Sequence, residues 1–286
     1  MNTDSATPTC DLCGSHDAPK LLEKGGSQYV RCRGCGFIFT HPRNFDTLAQ
    51  NNEAYEERIA RYAQKFSSKK SRRSARAVLR RFAPYRKTGR LLEIGSNTGA
   101  FLYHAREAGW QPVGVEPTEG CARHGREKHG LEILEGIIEE VSLPENSFDV
   151  VYSNAVFEHL PNPSTAFRAA FRALRPGGVL YVDTVNYDSY TREFIGAEWK
   201  LIEPRGHLSL YTPATLRRYC EQAGFEAVQI TTHGVRLRPN SAGRVKGLAK
   251  WTEELKKAPY AVMCRWTLKG DSISALARKP ESRASR

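Results

Sequence analysis

From Gly89 onward the chain repeats one pattern: a short apolar run, a turn, a stretch with helical spacing, then another apolar run. This alternation constrains the fold more than any other feature, because strands separated by helices pair in parallel and need a helix on each face of the sheet. Seven runs read as strands: Arg90–Ile94, Pro112–Glu116, Leu131–Leu134, Phe148–Ser153, Gly178–Val185, Phe225–Thr232 and Ser272–Ala277. Between them the spacing predicts helices over Gly99–Ala108, Gly120–His129 and Pro163–Leu174, the last stopped by Pro176-Gly177-Gly178. Thr212 as cap, Pro213 at the first position and Gly224 at the end define another, and an amphipathic stretch surrounds Leu248–Leu255. The fold class expected is α/β, a doubly wound, seven-stranded and mostly parallel sheet.

At the first strand–helix junction stands Leu91-Leu-Glu-Ile-Gly-Ser-Asn-Thr-Gly99. A tight glycine turn there lets backbone approach a ligand, and the helix behind it offers free amides. Alone, such a loop is compatible with an ordinary turn. Glu116, however, ends the second strand at the offset where an acid meets a ribose diol in nucleoside-binding folds. Together they point to a nucleoside cofactor.

Residues 1–45 are rich in Cys and Gly, too short and loop-dominated to build a core of their own. Cys10-x2-Cys13 and Cys32-x2-Cys35 carry four-thiolate zinc spacing, so a structural zinc with no open coordination position is expected to staple a ribbon. Cys121, Cys220 and Cys264 are isolated and read as small buried side chains. Residues 46–88 form a basic helical linker or lid: Ile59, Tyr62 and Phe66, then Ala75, Val78, Leu79 and Phe82, recur at helical spacing until Pro84. Tyr55 and Tyr62 are candidate lid residues. Residues 89–278 make the cofactor-binding domain, and 279–286 a frayed tail.

The net charge of +12 is concentrated. Residues 58–90 hold 13 Lys/Arg and no acid, and residues 234–286 hold 13 against four, leaving the rest at −10. Such segments suit solvated faces, a phosphorylated ligand, a nucleic acid or an anionic membrane surface. No run is apolar enough to cross a bilayer. The polar N-terminus lacks a secretory pattern, and the cysteines do not read as a disulfide framework, so a cytoplasmic location is expected.

Glu-Ile-Gly-Ser-Asn-Thr-Gly99, Gly-Val-Glu116-Pro, Pro-Glu-Asn-Ser-Phe-Asp-Val-Val151, Val-Phe-Glu-His159 and Leu-Arg-Pro-Gly-Gly178 resemble, in order, the motifs of class I S-adenosylmethionine-dependent methyltransferases, which have a Rossmann-like fold. With the Cys knuckles, the chain is similar to bacterial enzymes acting on sugars and other small molecules. The resemblance implies that Glu93, Gly95, Ser96, Asn97, Thr98 and Gly99 surround the methionine moiety of S-adenosyl-L-methionine. It places Glu116 on the ribose, Ile137 and Ile138 beside adenine, where many relatives have an Asp at the first position, and Asn154 beneath the methionine end. Glu203-Pro-Arg-Gly-His-Leu-Ser-Leu-Tyr211 is similar to an active-site segment of sugar C-methyltransferases, although the usual Tyr-x-Glu-His lead is Pro-Arg-Gly here. His207 is thus the candidate base, with Tyr211 and His159 as further candidates. A structural loop histidine is the alternative for His207, and a helix-capping and packing pair for Glu158 and His159.

The function expected is methyl transfer to oxygen or carbon of a small molecule, such as a sugar nucleotide or a cell-envelope glycan precursor. An RNA methyltransferase gripping phosphates is the second reading, against which Ser153-Asn154-Ala-Val lacks the Asn/Asp-Pro-Pro-Tyr signature. A non-catalytic cofactor-binding scaffold is the third.

Overall fold

The computed structural model describes residues 7–43, 55–238 and 248–281. Its centre is a seven-stranded sheet of β4 (Arg90–Ile94), β5 (Gln111–Glu116), β6 (Glu132–Glu135), β7 (Phe148–Asn154), β8 (Leu174–Val185), β10 (Glu226–His233) and β11 (Ser272–Arg278), in the order β10-β11-β8-β7-β4-β5-β6. Ladders among β4 to β8 are parallel, and β11 runs antiparallel to both its neighbours. These are the seven runs read from sequence.

Their near-continuous apolar character follows from burial on both faces. On one face, Leu91, Val150, Tyr152, Val179 and Tyr181 pack with Leu79 and Phe82 of α2 (Lys69–Phe82) and Leu102 and Ala105 of α3 (Ala100–Glu107), beside Ala122 of α4 (Glu119–His129). On the other, Leu92, Ile94, Val151, Leu180 and Val182 meet Ala166, Phe167 and Ala170 of α5 (Pro163–Ala173) and Leu216 and Tyr219 of α7 (Pro213–Gln222). Adjacent residues serve opposite layers because strand side chains alternate. Two basic helices, α1 (Tyr55–Ser67) and α2, precede the sheet; Ser68 between them caps α2 by accepting the Ser71 amide.

The ribbon is not a detached bead. Strands β1 (Lys20–Lys24), β2 (Ser27–Arg31) and β3 (Ile38–Thr40) form a sheet whose fourth member, β9 (Ser209–Leu210), comes from the loop after β8. Cys10, Leu12, Val30, Phe37 and Phe39 belong to the same core as α5 and α7. Asp11 seals the joint by accepting hydrogen bonds from the Ser164 amide and hydroxyl and from the Tyr219 hydroxyl, at 2.9, 2.8 and 3.0 Å.

Two further helices are α6 (Tyr190–Ile195) and α8 (Leu248–Thr267), the latter inserted between β10 and β11. At the expected tail, Lys279 is anchored instead: its ammonium donates to Asn146 Oδ1 and to the carbonyls of Phe171 and Leu174. Residues 282–286, like 46–54 of the expected linker, lie outside the described residues. Among the described residues no helix is long and apolar enough to cross a membrane.

Candidate functional site

The sheet runs outward in both directions from the β4–β7 boundary, and a cleft forms where strand order reverses, beyond the strands' C-terminal ends. The turn after β4 makes its floor. Gly95 has φ +73°, and a Cβ there would stand 2.3 Å from Val156 Cγ2; Gly99 has φ +84°, and a Cβ on it would stand 2.5 Å from Leu131 Cδ1. Both need glycine for conformation and for space.

Glu116, 5% exposed, braces the turn from below. Its Oε2 accepts the Asn97 amide at 2.9 Å and its Oε1 the Thr118 amide at 3.0 Å, fixing both carboxylate oxygens. A cleft of about 320 Å³ lies above, lined by Glu93, Gly95, Ser96, Asn97, Thr98, Asn154 and, from the basic helices, Tyr62, Lys65 and Ser71. The expected methionine-end residues are thereby gathered, except that Gly99 acts from behind the turn. Tyr62 reaches the cleft with the Lys65 ammonium 3.7 Å from its ring centre; the Tyr55 side chain is outside the described residues.

Glu93 is the anomaly. It is 7% exposed, and its Oε2 has no hydrogen-bond partner. Burial, and then the charge of Glu116, push its carboxyl well above the usual range. Ser96 Oγ and Thr98 Oγ1 are likewise buried and unpartnered. Three such atoms at the end of β4 and in the turn that follows fit a ligand that brings donors, above all an ammonium, as S-adenosyl-L-methionine would. Ile137 and Ile138 follow β6 without lining this cleft: Ile138 is core, while the Gly136 amide donates to Glu116 O at 3.1 Å and ties their turn to the end of β5.

Glu158, His159 and His207 converge beyond β7, with ligand-type atoms within 4.8 Å of one another and the two rings 5.0 Å apart. His207 Nδ1–H donates to Leu201 O at 2.9 Å and His159 Nδ1–H to Gly206 O at 2.7 Å, so neither Nε2 takes part in these bonds. Buried Glu158 accepts the Thr184 hydroxyl. Burial lowers the His207 pKa, against the opposing charge of Glu158. Tyr211 is fully buried, and its hydroxyl donates to Phe157 O at 3.0 Å, positioning the turn that carries Glu158 and His159. None of His159, His207 and Tyr211 is among the residues lining the 320 Å³ cleft or its larger neighbour.

That neighbour, about 860 Å³, shares Ser74, Val78, Tyr152 and Asn154 with the first and continues over β8, β11 and β10. Arg81 donates to the Tyr181 hydroxyl, Tyr181 to Ser274, and Ser274 to Asp183, with His233 Nδ1 3.9 Å from the same carboxylate. Burial raises the Asp183 pKa against the opposing influence of Ser274 and His233. Asp183 pairs with Asn154 in the sheet, beside the first cleft. Sequence reasoning missed this group, for which no local motif exists. Only the β8–β11–β10 pairing assembles it.

In the ribbon, Cys10 Sγ lies 3.5 Å from Cys35 Sγ and Cys13 Sγ 3.4 Å from Cys32 Sγ, and the four sulfurs could hold one metal ion. The two knuckles close alike, Gly14 N–H donating to Cys10 O and Gly36 N–H to Cys32 O.

Residues 56–230 match a family model described as a methyltransferase domain. The chain is 29% identical over 154 residues to the ubiquinone biosynthesis O-methyltransferase of Azoarcus sp. (strain BH72), covering 50% of this chain and 66% of that protein. It is 28% identical over 140 residues to the malonyl-[acyl-carrier protein] O-methyltransferase of Serratia marcescens, covering 48% and 54%. The match thus spans somewhat less than two thirds of these relatives' length. The fold superposes on the Haemonchus contortus phosphoethanolamine N-methyltransferase 2 in complex with S-adenosyl-L-methionine (TM-score 0.59, 17% identity, 92% and 71% coverage). It also superposes on an S-adenosylmethionine-dependent methyltransferase from Archaeoglobus fulgidus (TM-score 0.53, 23% identity, 76% and 98% coverage). With the seven-stranded sheet and the glycine turn over Glu116, these similarities establish that the chain belongs to the class I S-adenosylmethionine-dependent methyltransferases.

Proposed function

We propose that this protein transfers the methyl group of S-adenosyl-L-methionine to an oxygen of a small-molecule acceptor. The observation that carries the reading is the cleft at the β4–β7 boundary, lined by Glu93 with its Oε2 lacking a hydrogen-bond partner, on a turn whose Asn97 amide is held by Glu116. Glu93, Ser96 and Thr98 would hold the amino-acid end of the cofactor and Glu116 its ribose diol. The bound cofactor supplies an electrophilic sulfonium methyl. The two curated relatives named above are O-methyltransferases, which favours oxygen over carbon.

What the protein must add is alignment of the acceptor and removal of its proton. Asp183 suits the second task, because it lines the larger cleft where that cleft joins the first at Asn154. Arg81 and Arg265 on the same walls suit a phosphorylated acceptor, including a sugar nucleotide. His207 is a second candidate base, favoured by a pKa that burial lowers and by an Nε2 outside the Nδ1–Leu201 hydrogen bond. We assign the four cysteines a structural zinc, since a closed four-thiolate site leaves no position for chemistry.

Incubation with methyl-labelled cofactor and fractionated small-molecule and RNA extracts tests the reading. Label should enter a small-molecule fraction as a methyl ether or ester. Label in RNA alone, or cofactor binding with no transfer, would overturn it. Once an acceptor fraction is found, Asp183→Asn should leave cofactor affinity intact and slow single-turnover transfer about 10²–10⁴-fold, the usual share of a general base. If His207→Ala does this instead while Asp183→Asn is silent, the base is His207.

A further inference from the structure

Helix α8 has two apolar sides, and the body of the protein uses one. Tyr260 and Cys264 face inward: Tyr260 packs on Tyr190 and Phe194 with ring centres 5.3 and 5.0 Å away, and the Thr232 hydroxyl donates to Cys264 O. At 100° per residue, Trp251, Leu255, Val262 and Trp266 fall within about 60° of one another on the opposite side. All four face solvent, at 71%, 67%, 62% and 85% exposure, with Met263 beside them at 44%. Five of the six large apolar side chains that are exposed among the described residues therefore sit on this one helix. Scattered exposed apolar residues need no explanation, but an aligned stripe with two tryptophans does.

We propose that this stripe docks α8 in the plane of an anionic lipid surface. The two exposed tryptophans have the amphipathic character that favours the headgroup level. Exposed Lys256 and Arg265 border the stripe, and residues 234–286, within which α8 lies, carry 13 Lys/Arg against four acids. A lipid surface bearing phosphates matches both the apolar and the cationic element. A second copy matches only the first, because α8 against α8 would bring two such basic segments together. The helix contains Lys and Glu along its length, which suits lying on a bilayer and excludes spanning one. Arg265 also lines the larger cleft, so docking would set that cleft's rim at the membrane. The proposal does not depend on the methyl-transfer reading.

The test uses the full chain with vesicles of phosphatidylcholine, with and without phosphatidylglycerol. The protein should co-sediment with the phosphatidylglycerol vesicles and far less with phosphatidylcholine alone, more weakly as salt rises. Its tryptophan emission should shift to the blue on binding. Trp110 and Trp199 are 5% and 1% exposed, so this signal reports Trp251 and Trp266. Trp251→Ser and Trp266→Ser should each weaken vesicle binding roughly tenfold while leaving cofactor affinity and Tm unchanged, because neither residue touches the core. Equal binding to both vesicle types, no binding to either, or full binding by the double variant overturns the proposal. So does a lipid-independent dimer that the double variant abolishes, which would give the face to a second copy.

Discussion

Glu93 is held in conflict with its surroundings. Its pKa is raised by burial beside Glu116, so a bound ammonium should return it to the ionised form and expel a proton. Cofactor binding should accordingly release protons, and affinity should rise with pH until Glu93 is ionised without help. Calorimetry in buffers of different ionisation enthalpy measures this directly. Glu93→Gln should abolish the proton release and weaken binding by roughly 1.5–3 kcal/mol, the value of a charge-assisted hydrogen bond. Glu116→Ala should weaken cofactor binding by a similar ~1.5–3 kcal/mol. It should also lower Tm, because the carboxylate accepts the Asn97 and Thr118 amides even without ligand. A variant with native Tm and native affinity would remove Glu116 from both roles.

Among the elements, the starts of β7 and β8 and the turn into β4 meet at one buried ion pair. Asp149, fully buried, accepts the amides of Lys87, Thr88 and Gly89 at 2.9, 2.8 and 2.7 Å and pairs with Arg175 at 2.6 Å. Burial opposes ionisation, but the Arg175 hydrogen bond and the amides outweigh it and lower the Asp149 pKa. Because the folded pKa lies below the unfolded one, this stabilisation is complete above the unfolded value, about 3.9. It is lost as pH falls through the folded pKa. Asp149→Ala should cost roughly 3–5 kcal/mol, since it strands a buried guanidinium and three amides. Urea unfolding at neutral pH measures it, and a cost under about 1 kcal/mol would reduce the pair to a surface-like contribution. Helix α7 shows the opposite, local kind of control: Thr212 and Thr215 form a reciprocal capping box behind Pro213, all within four consecutive residues.

Across the whole molecule, the ribbon and the catalytic domain share one core. Phe37 stacks with Phe39 and packs against Tyr211 and Tyr219, and the Tyr29 hydroxyl donates to His207 O at 2.6 Å. If the four cysteines hold the zinc assigned to them, stripping it should thus loosen the His207 loop as well as the ribbon. Hydrogen exchange on chelator-treated protein should show faster exchange at 203–211 along with 10–40, because β3 pairs with β9. Exchange confined to the ribbon would mean that its sheet does not support the loop. Metal analysis should return one zinc per chain, and Cys32→Ser should lose it.

The sequence by itself determined what depends on near neighbours. All seven strands were legible, because burial on both faces forces apolar runs such as Leu91–Ile94. The Gly95 turn with Glu116 was legible because a strand, a turn and a fixed offset bring them together, and the cysteine knuckles because chelation fixes their spacing. Tertiary structure alone decided what depends on distant pairing. Residues 209–210 join the ribbon because β3 needs a partner for its open edge, and no local pattern in two residues announces that. Asp183 meets His233 only through β11 laid between their strands, and Glu93 Oε2 becomes a buried atom without a hydrogen-bond partner only once the sheet closes around it. Ile138, which the resemblance places beside adenine, has its side chain in the core, a placement that only packing decides. Local chemistry wrote the turns and strands, whereas burial and strand order chose which side chains face the cleft.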